Sequence, residues 1–328
     1  MSHIPVMLGE VLEVLSPVDG ETIIDGTFGA GGYSEAILQA ASCSLIGLDR
    51  DPRVRPHVER LSAKFGARFR FVQIEFSNLD QVANGEMVDG VVLDIGVSSM
   101  QLDEDLRGFS FMRDGPLDMR MSSSGPSAAD AIKHMSHNDL QRIFKVYGEE
   151  RRARRCADFI VRARDDNPVE TTGTLAQIIT SALGQSGKRH PATRVFQALR
   201  IFINDELGQL VRGLLAAERV LKPGGRLVVV SFHSLEDRIV KLFLRRRSGE
   251  VKGGSRYLPP PIANENAPSF VLASRSSASA GKGELQANPR ARSARLRVGV
   301  RTSAKPWPVE DDLLPNVPGL DVLAGLIP

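Results

Sequence analysis

The chain has 328 residues, 42% of them apolar and 25% charged, which supplies material for more than one packed unit and excludes wholesale disorder. Net charge is only +3 although the sequence pI is about 9.0, so a polyanionic partner must be argued from where the arginines cluster. The two cysteines, Cys43 and Cys156, form no C-x-x-C pair and cannot build a disulfide framework, which argues against secretion and fits a reducing cytoplasm.

At the start of the chain, Glu10 and Glu13 interrupt MSHIPVMLGEVLEVL where an export signal needs an unbroken apolar stretch, and no run of about 18 apolar residues follows. Residues 22–26 (TIIDG) read as a short buried strand, 32–41 as a helix, 44–49 as a strand and 52–65 as a helix opened by Pro52. Strands continue at 68–74 and 88–95, the second (VDGVVLDI) being the near-continuous apolar run of a parallel strand covered on both faces. Past Asp94 the alternation stops. A Gly-, Asp-, Met- and Ser-rich stretch runs to about Pro126, and helical periodicity follows at 127–134, 136–146, 149–165 and 172–184. Helix 203–221, the turn Lys222-Pro223-Gly224-Gly225, strand 226–232 and helix 234–246 resume the first pattern. Residues 248–290 hold Pro259 to Pro261 and a Ser/Ala/Gly/Lys-rich run that reads as linker-like, and 294–301 reads as a closing strand. Trp307, the only tryptophan, has no role legible from the sequence. The pattern implies an α/β fold with a doubly wound, Rossmann-like sheet at 1–103 and 201–302, an inserted helical domain at 104–200 and a Pro-rich tail at 303–328.

The first strand turns into the first helix through Asp25-Gly26-Thr27-Phe28-Gly29-Ala30-Gly31-Gly32, where glycines let backbone approach a bound nucleoside or amino-acid moiety. Counting from Gly29, a dinucleotide fingerprint wants a third glycine where Ser34 stands, which weakens a nicotinamide-dependent reading and suits S-adenosylmethionine better. Asp49 ends the second strand, placed to accept both ribose hydroxyls, and Asp94 ends the fourth. Each acid alone reads equally as a helix cap in a surface turn; three at successive strand ends favour a site.

The runs LDIGVSSMQLD at 93–103, RGFSF at 107–111 and DGPLDMRM at 114–121 resemble the bacterial 16S rRNA cytosine-N4 methyltransferases, the MraW or RsmH family. HIPVMLGEVL at 3–12, KRHPATRVFQALRIFINDEL at 188–207, SFHSLEDRIVK at 231–241 and NPRARSARLRV at 288–298 extend the resemblance over nearly the whole chain. It implies a class I methyltransferase sheet with an inserted helical substrate domain, acting with S-adenosylmethionine on the exocyclic N4 of a decoding-centre cytosine of 16S rRNA. Cofactor contacts would fall on Gly31, Gly32, Tyr33, Asp49, Phe76, Asp94 and Gln101, beside Asp25 and Gly29 from the loop itself. Two departures stand out: Tyr33 replaces a histidine usual after Gly-Gly, and Met100 a proline usual before Gln101.

A cytosine amino group is a poor nucleophile because its lone pair is delocalised into the ring, so orientation and electrostatics must carry the rate and no cysteine nucleophile is needed. Asp94, Ser98 or Ser99 is one candidate set to accept an N4 proton or hydrogen bond; the competing assignment gives Asp94 to the cofactor and lets His233 orient the base or relay the proton. His134 and His137, three apart with no ligand pattern nearby, read as polar-face residues, and no metal is expected. For RNA, Arg151, Arg152 and Arg155 in RRARRCADFIVRAR, with Lys188, Arg189 and Arg194, compose a discontinuous basic surface; a solvated helix face paired with Glu149 and Glu150 is the alternative. The target base would have to be splayed out, so a single-stranded site within the small ribosomal subunit is expected.

Overall fold

The computed structural model describes residues 5–96, 105–122, 124–185, 190–249, 266–274, 276–308 and 313–327. The chain divides into two compact units, Met1–Gly96 with Gly208–Leu314, and Val97–Leu207 with Pro315–Pro328. Among the described residues no helix is long and apolar enough to cross a membrane.

The first unit is built on seven strands: β1 (Thr22–Asp25), β2 (Ser44–Asp49), β3 (Phe69–Gln73), β4 (Val88–Asp94), β5 (Leu221–Ser231), β6 (Phe270–Leu272) and β7 (Arg295–Arg301). Their spatial order is β3-β2-β1-β4-β5-β7-β6. Strands β1 to β5 run parallel, while β7 pairs antiparallel with both β5 and β6. This is the class I methyltransferase sheet expected from the sequence, doubly wound about β1 and β4 and closed by one reversed strand. The apolar runs are its cause: Ile23, Ile24, Leu45, Leu48, Val91, Val92, Leu93 and Leu227 to Val230 are all buried.

Helices α1 (Leu8–Leu15), α2 (Gly32–Ala40), α3 (Arg55–Phe65) and α4 (Leu79–Val82) belong to the same unit. The opening segment, read from sequence only for what it excludes, is helical because Val11 and Leu15 recur at helical spacing and are both buried. Pro52 opens a single 3₁₀ turn, Pro52–Val54, capped by the Asp51 carboxylate, before α3 begins. The Lys222-Pro223-Gly224-Gly225 turn lies within β5, where the register against β4 shifts between Val88 and Gly90 and Gly224 adopts φ +84°.

The second unit carries α5 (Ala128–His134), α6 (His137–Val146), α7 (Ala153–Asp166), α8 (Thr172–Leu183) and α9 (Thr193–Ile203). Ser127, Ser136 and Thr171 cap α5, α6 and α8 by accepting a backbone N–H three residues on. The arginine-rich helix starts four residues later than its pattern suggested, because Glu149 turns the chain at φ +49°, in the left-handed region. Leu140, Ile143, Phe144, Cys156, Ile160, Leu175, Ile179 and Leu199 form the core. The loop 105–122 is fixed to it by Asn204, whose side chain accepts the Met121 N–H at 2.8 Å and donates to the Met119 carbonyl at 2.8 Å. Gly108 is obligatory there: at φ +69°, a Cβ would meet the Pro116 carbonyl oxygen at 2.2 Å.

Helix α10 (Glu206–Val220) leads into β5, and α11 (Ser234–Arg247) follows it. At the far side of the sheet Glu218, buried, accepts from Arg247 Nε at 3.1 Å, from the Ser269 hydroxyl and from the Trp307 N–H at 3.2 Å. Trp307 lies under the Arg247 guanidinium at 4.7 Å and donates Nε1–H to the Ala267 carbonyl. The tryptophan without a legible role thus clamps β6 and β7 to α10 and α11. Part of the linker-like stretch is also ordered, as β6, an isolated bridge from Ala278 to Leu296, and α12 (Lys282–Ala287). A short α13 (Leu320–Ala324) ends the second unit.

Candidate cofactor and catalytic site

The parallel strands bring their carboxyl ends together, and the acids found at those ends converge. Asp25 is fully buried: Oδ1 accepts the Thr27 N–H at 3.1 Å and Oδ2 the Ser34 hydroxyl at 2.7 Å. Ser34, the residue that spoils a dinucleotide fingerprint, therefore holds the loop acid in place. Asp49 accepts the N–H of Gly29 at 2.8 Å through Oδ2 and that of Asp51 at 2.9 Å through Oδ1. The glycine loop is thereby pinned to the end of β2. Gly31 takes φ +78°, and a Cβ there would be crowded, 3.0 Å from Phe28 Cζ. A Cβ on Gly26 would meet Leu93 Cδ2 at 2.5 Å and Phe76 Cβ at 3.1 Å, which sets Phe76 beside the loop.

Tyr33 is buried and its hydroxyl donates to the Val6 carbonyl, which ties the side chain to the N-terminal segment; burial, then the charges of Asp94 and Asp25, raise its phenol. Pro5 covers Gly32, where a Cβ would lie 2.2 Å from Pro5 Cγ.

Asp94, at the end of β4, takes its backbone N–H to Thr27 Oγ1 at 2.6 Å. Its Oδ1 is sealed from solvent and has no hydrogen-bond partner among the described residues. Burial, then the charges of Asp25 and Glu236, push its carboxyl well above the usual range. Burial likewise raises Asp25, to about 6, and raises Asp49. Glu236, fully buried in the first turn of α11, accepts the N–H groups of Phe232 at 2.8 Å and His233 at 3.1 Å. Sequence reasoning missed both Thr27 and Glu236; an acid three residues after a helix cap reads as a capping box, and here it is one and also an electrostatic neighbour of Asp94.

His233 occupies the cap position of α11. Nδ1 accepts the Glu236 N–H at 3.4 Å, and Nε2 sits 3.0 Å from Glu236 Oε1 without the alignment of a hydrogen bond. The imidazole is thus first a helix cap, held against Glu236. Ser98, Ser99 and Gln101 lie outside the described residues, as do Lys188 and Arg189.

Of the remaining arginines, two have structural employment. Arg152 donates Nη1–H to the Leu183 carbonyl at 2.9 Å and Arg155 donates Nε–H to the Ala182 carbonyl, satisfying the carbonyls that end α8. Arg151 is exposed, and Arg194, about half exposed, stands 3.6 Å from Glu150.

Asp25, Asp49, Asp94 and Glu236 make this end of the sheet strongly anionic, and the charges acting on Asp94 are both negative. A pyrophosphate would be repelled there; a sulfonium or ammonium would be attracted. The donor set, the glycine cradle and the unpartnered Asp94 oxygen therefore fit S-adenosylmethionine. A family model described as the MraW methylase family matches residues 1–302. The chain belongs to that family. S-adenosylmethionine is the cofactor of this MraW methylase family member. Proteins called ribosomal RNA small subunit methyltransferase H are similar along nearly their full length: 57% identity in Maricaulis maris over 93% of this chain and 92% of that one. In Caulobacter vibrioides the identity is 55% over 93% and 97%, and in Rhizobium etli 54% over 98% and 95%. Among solved structures an rRNA methylase from Streptococcus thermophilus superposes with a TM-score of 0.41 at 9% identity, over 90% of this chain and 94% of that one. The fold assignment rests on the strand order of this chain's own sheet.

Proposed function

We propose that this chain, acting in the cytoplasm, methylates the exocyclic N4 of a decoding-centre cytosine of 16S rRNA within the small ribosomal subunit. The observation that carries the reading is Asp94: a strand-end carboxyl with one buried, unpartnered oxygen in an anionic crevice that suits a sulfonium. Bound S-adenosylmethionine supplies an activated methyl group. Asp49 would hold its ribose diol with the lone pairs left after the two amide contacts, the backbone of Gly29, Gly31, Gly32 and Tyr33 would line the remainder, and Phe76 would pack against the nucleoside. Asp94, kept as a carboxylate by a neighbouring positive charge, accepts a hydrogen bond from the N4 amino group. That bond raises the electron density on the nitrogen and gives the proton lost on methylation a place to go. His233, whose Nδ1 accepts the Glu236 N–H, orients the substrate base from the α11 cap. Ser98, Ser99 and Gln101 complete the assignment by sequence position alone.

The names of the relatives support an rRNA substrate, and the motif resemblance supports N4 of cytosine. Arg151, Arg152, Arg155, Lys188, Arg189 and Arg194 were the expected phosphate contacts; Arg151 and Arg194 are the ones we retain as such among the described residues. The test is methyl transfer from labelled S-adenosylmethionine to small subunits from cells lacking this enzyme, with nucleoside analysis of the digested 16S rRNA. Label in N4-methylcytidine is the expected result. Label in another nucleoside would overturn the N4 assignment, and unlabelled RNA would overturn the substrate.

A further inference from the structure

The loop 105–122 carries an aromatic cluster that the cofactor chemistry does not use. Phe111 is half-buried, with its ring set edge-on against Phe196 at 4.8 Å and 72°. The exposed imidazole of His190 lies on Phe111 with centroids 4.6 Å apart and planes 32° apart. His190 is also held at its edges. Nδ1 accepts the Ala192 N–H at 3.2 Å, and its carbonyl accepts from the Thr193 N–H at 3.1 Å and hydroxyl at 2.8 Å. His190 thus offers an exposed aromatic ring whose position is fixed by these contacts.

We infer that Phe111 and His190 form a platform on which an unstacked base of the RNA substrate stacks. The inference rests on the RNA reading above and deepens it with a base-binding site carried by the second unit alone. Three observations favour a base over other occupants. The surface is a planar ring on a rigid aromatic support, which every nucleobase matches through its π-face. Met112, next to Phe111, is 83% exposed, an apolar side chain left in water beside the rings. Arg194, four residues beyond His190, is about half exposed and close to Glu150, so a cationic head stands near the start of α7, where Arg151 is also exposed. Stacking without base-edge readout, flanked by arginine, is how single strands are held in register before one base is delivered to chemistry.

The test uses the full chain and a single-stranded oligoribonucleotide spanning the target cytosine. His190→Asn keeps an acceptor for the Ala192 N–H and removes the ring; it should weaken RNA binding about tenfold. Affinity for S-adenosylmethionine, the unfolding midpoint and the slope of RNA affinity against salt should stay as they are, since no phosphate contact is lost. His190→Trp should retain RNA affinity, and its added emission should be quenched by the oligonucleotide. Equal affinity of His190→Asn and the unaltered protein, with no quenching in His190→Trp, would overturn the platform while leaving the RNA reading intact. Failure of the unaltered protein to bind the oligonucleotide or the small subunit would overturn both. A reduced salt slope in His190→Asn would show a phosphate contact in place of stacking and also overturn it.

Discussion

The anionic crevice makes cofactor affinity depend on pH, and Asp25 sets the size of the effect. Its carboxyl is raised from the ordinary 3.8 to about 6, chiefly by burial. At about 1.36 kcal/mol per pH unit, ionising it in the folded apoprotein costs about 3 kcal/mol more than in the unfolded chain. The folded state therefore binds more protons than the unfolded state between about pH 4 and 6, and folding stability falls as pH rises through that interval. A cation seated beside Asp25 favours the ionised form, lowers its pKa and releases a proton, so affinity moves the other way. With a free-state pKa of about 6 and the ordinary 3.8 restored on binding, affinity at pH 5 is reduced about 10-fold and at pH 7 about 1.1-fold, a rise of about ninefold between them. Titration calorimetry with S-adenosylmethionine at pH 5 and 7, in buffers of different ionisation enthalpy, measures both the rise and the released proton. Asp25→Asn, which keeps the acceptor for the Thr27 N–H, should bind more weakly at pH 7 and lose most of the rise. A flat affinity from pH 5 to 7 in the unaltered protein, with no proton release, would refute the electrostatic account of the site.

Asp49→Ala should abolish detectable cofactor binding while leaving RNA affinity within about twofold; equilibrium dialysis and filter binding separate the two, and surviving cofactor binding would sink the ribose assignment. Glu236→Gln retains acceptors for the Phe232 and His233 amides but removes the charge that helps raise Asp94, so the acidic limb of the pH–rate profile should move to lower pH; an unmoved limb would confine Glu236 to its capping role. Arg151→Glu should lower the salt slope of RNA binding by about one or more without changing stability, whereas Arg155→Ala should cost about 1 kcal/mol in chemical denaturation by freeing the Ala182 carbonyl. The reverse pattern would return Arg155 to the RNA interface.

The parallel strands were legible because burial on both faces leaves continuous apolar runs, and Asp25, Asp49 and Asp94 because each ends such a run. What escaped the sequence depends on partners distant in the chain. Strand β6 has three residues and exists through its pairing with β7, Phe270 opposite Arg301. Arg152 and Arg155 also bond the carbonyls at the end of α8, which nothing in their own segment announces. Thr27 looked like a spacer between glycines, yet it receives the Asp94 amide across 67 positions. Glu236 followed a recognised helix-start rule so well that its second neighbour stayed hidden.

The Glu218 clamp has a bearing on how the chain is made. Strand β5 is complete at Ser231, but its outer neighbour β7 comes after residue 294 and the amide that completes the Glu218 cluster belongs to Trp307. Synthesis runs from the N-terminus, so the carboxylate of Glu218 and the guanidinium of Arg247 wait for Trp307 to leave the ribosome before the cluster is complete. A nascent chain stopped short of Trp307 holds every cofactor-site acid named above and still has an open flank beside Glu218.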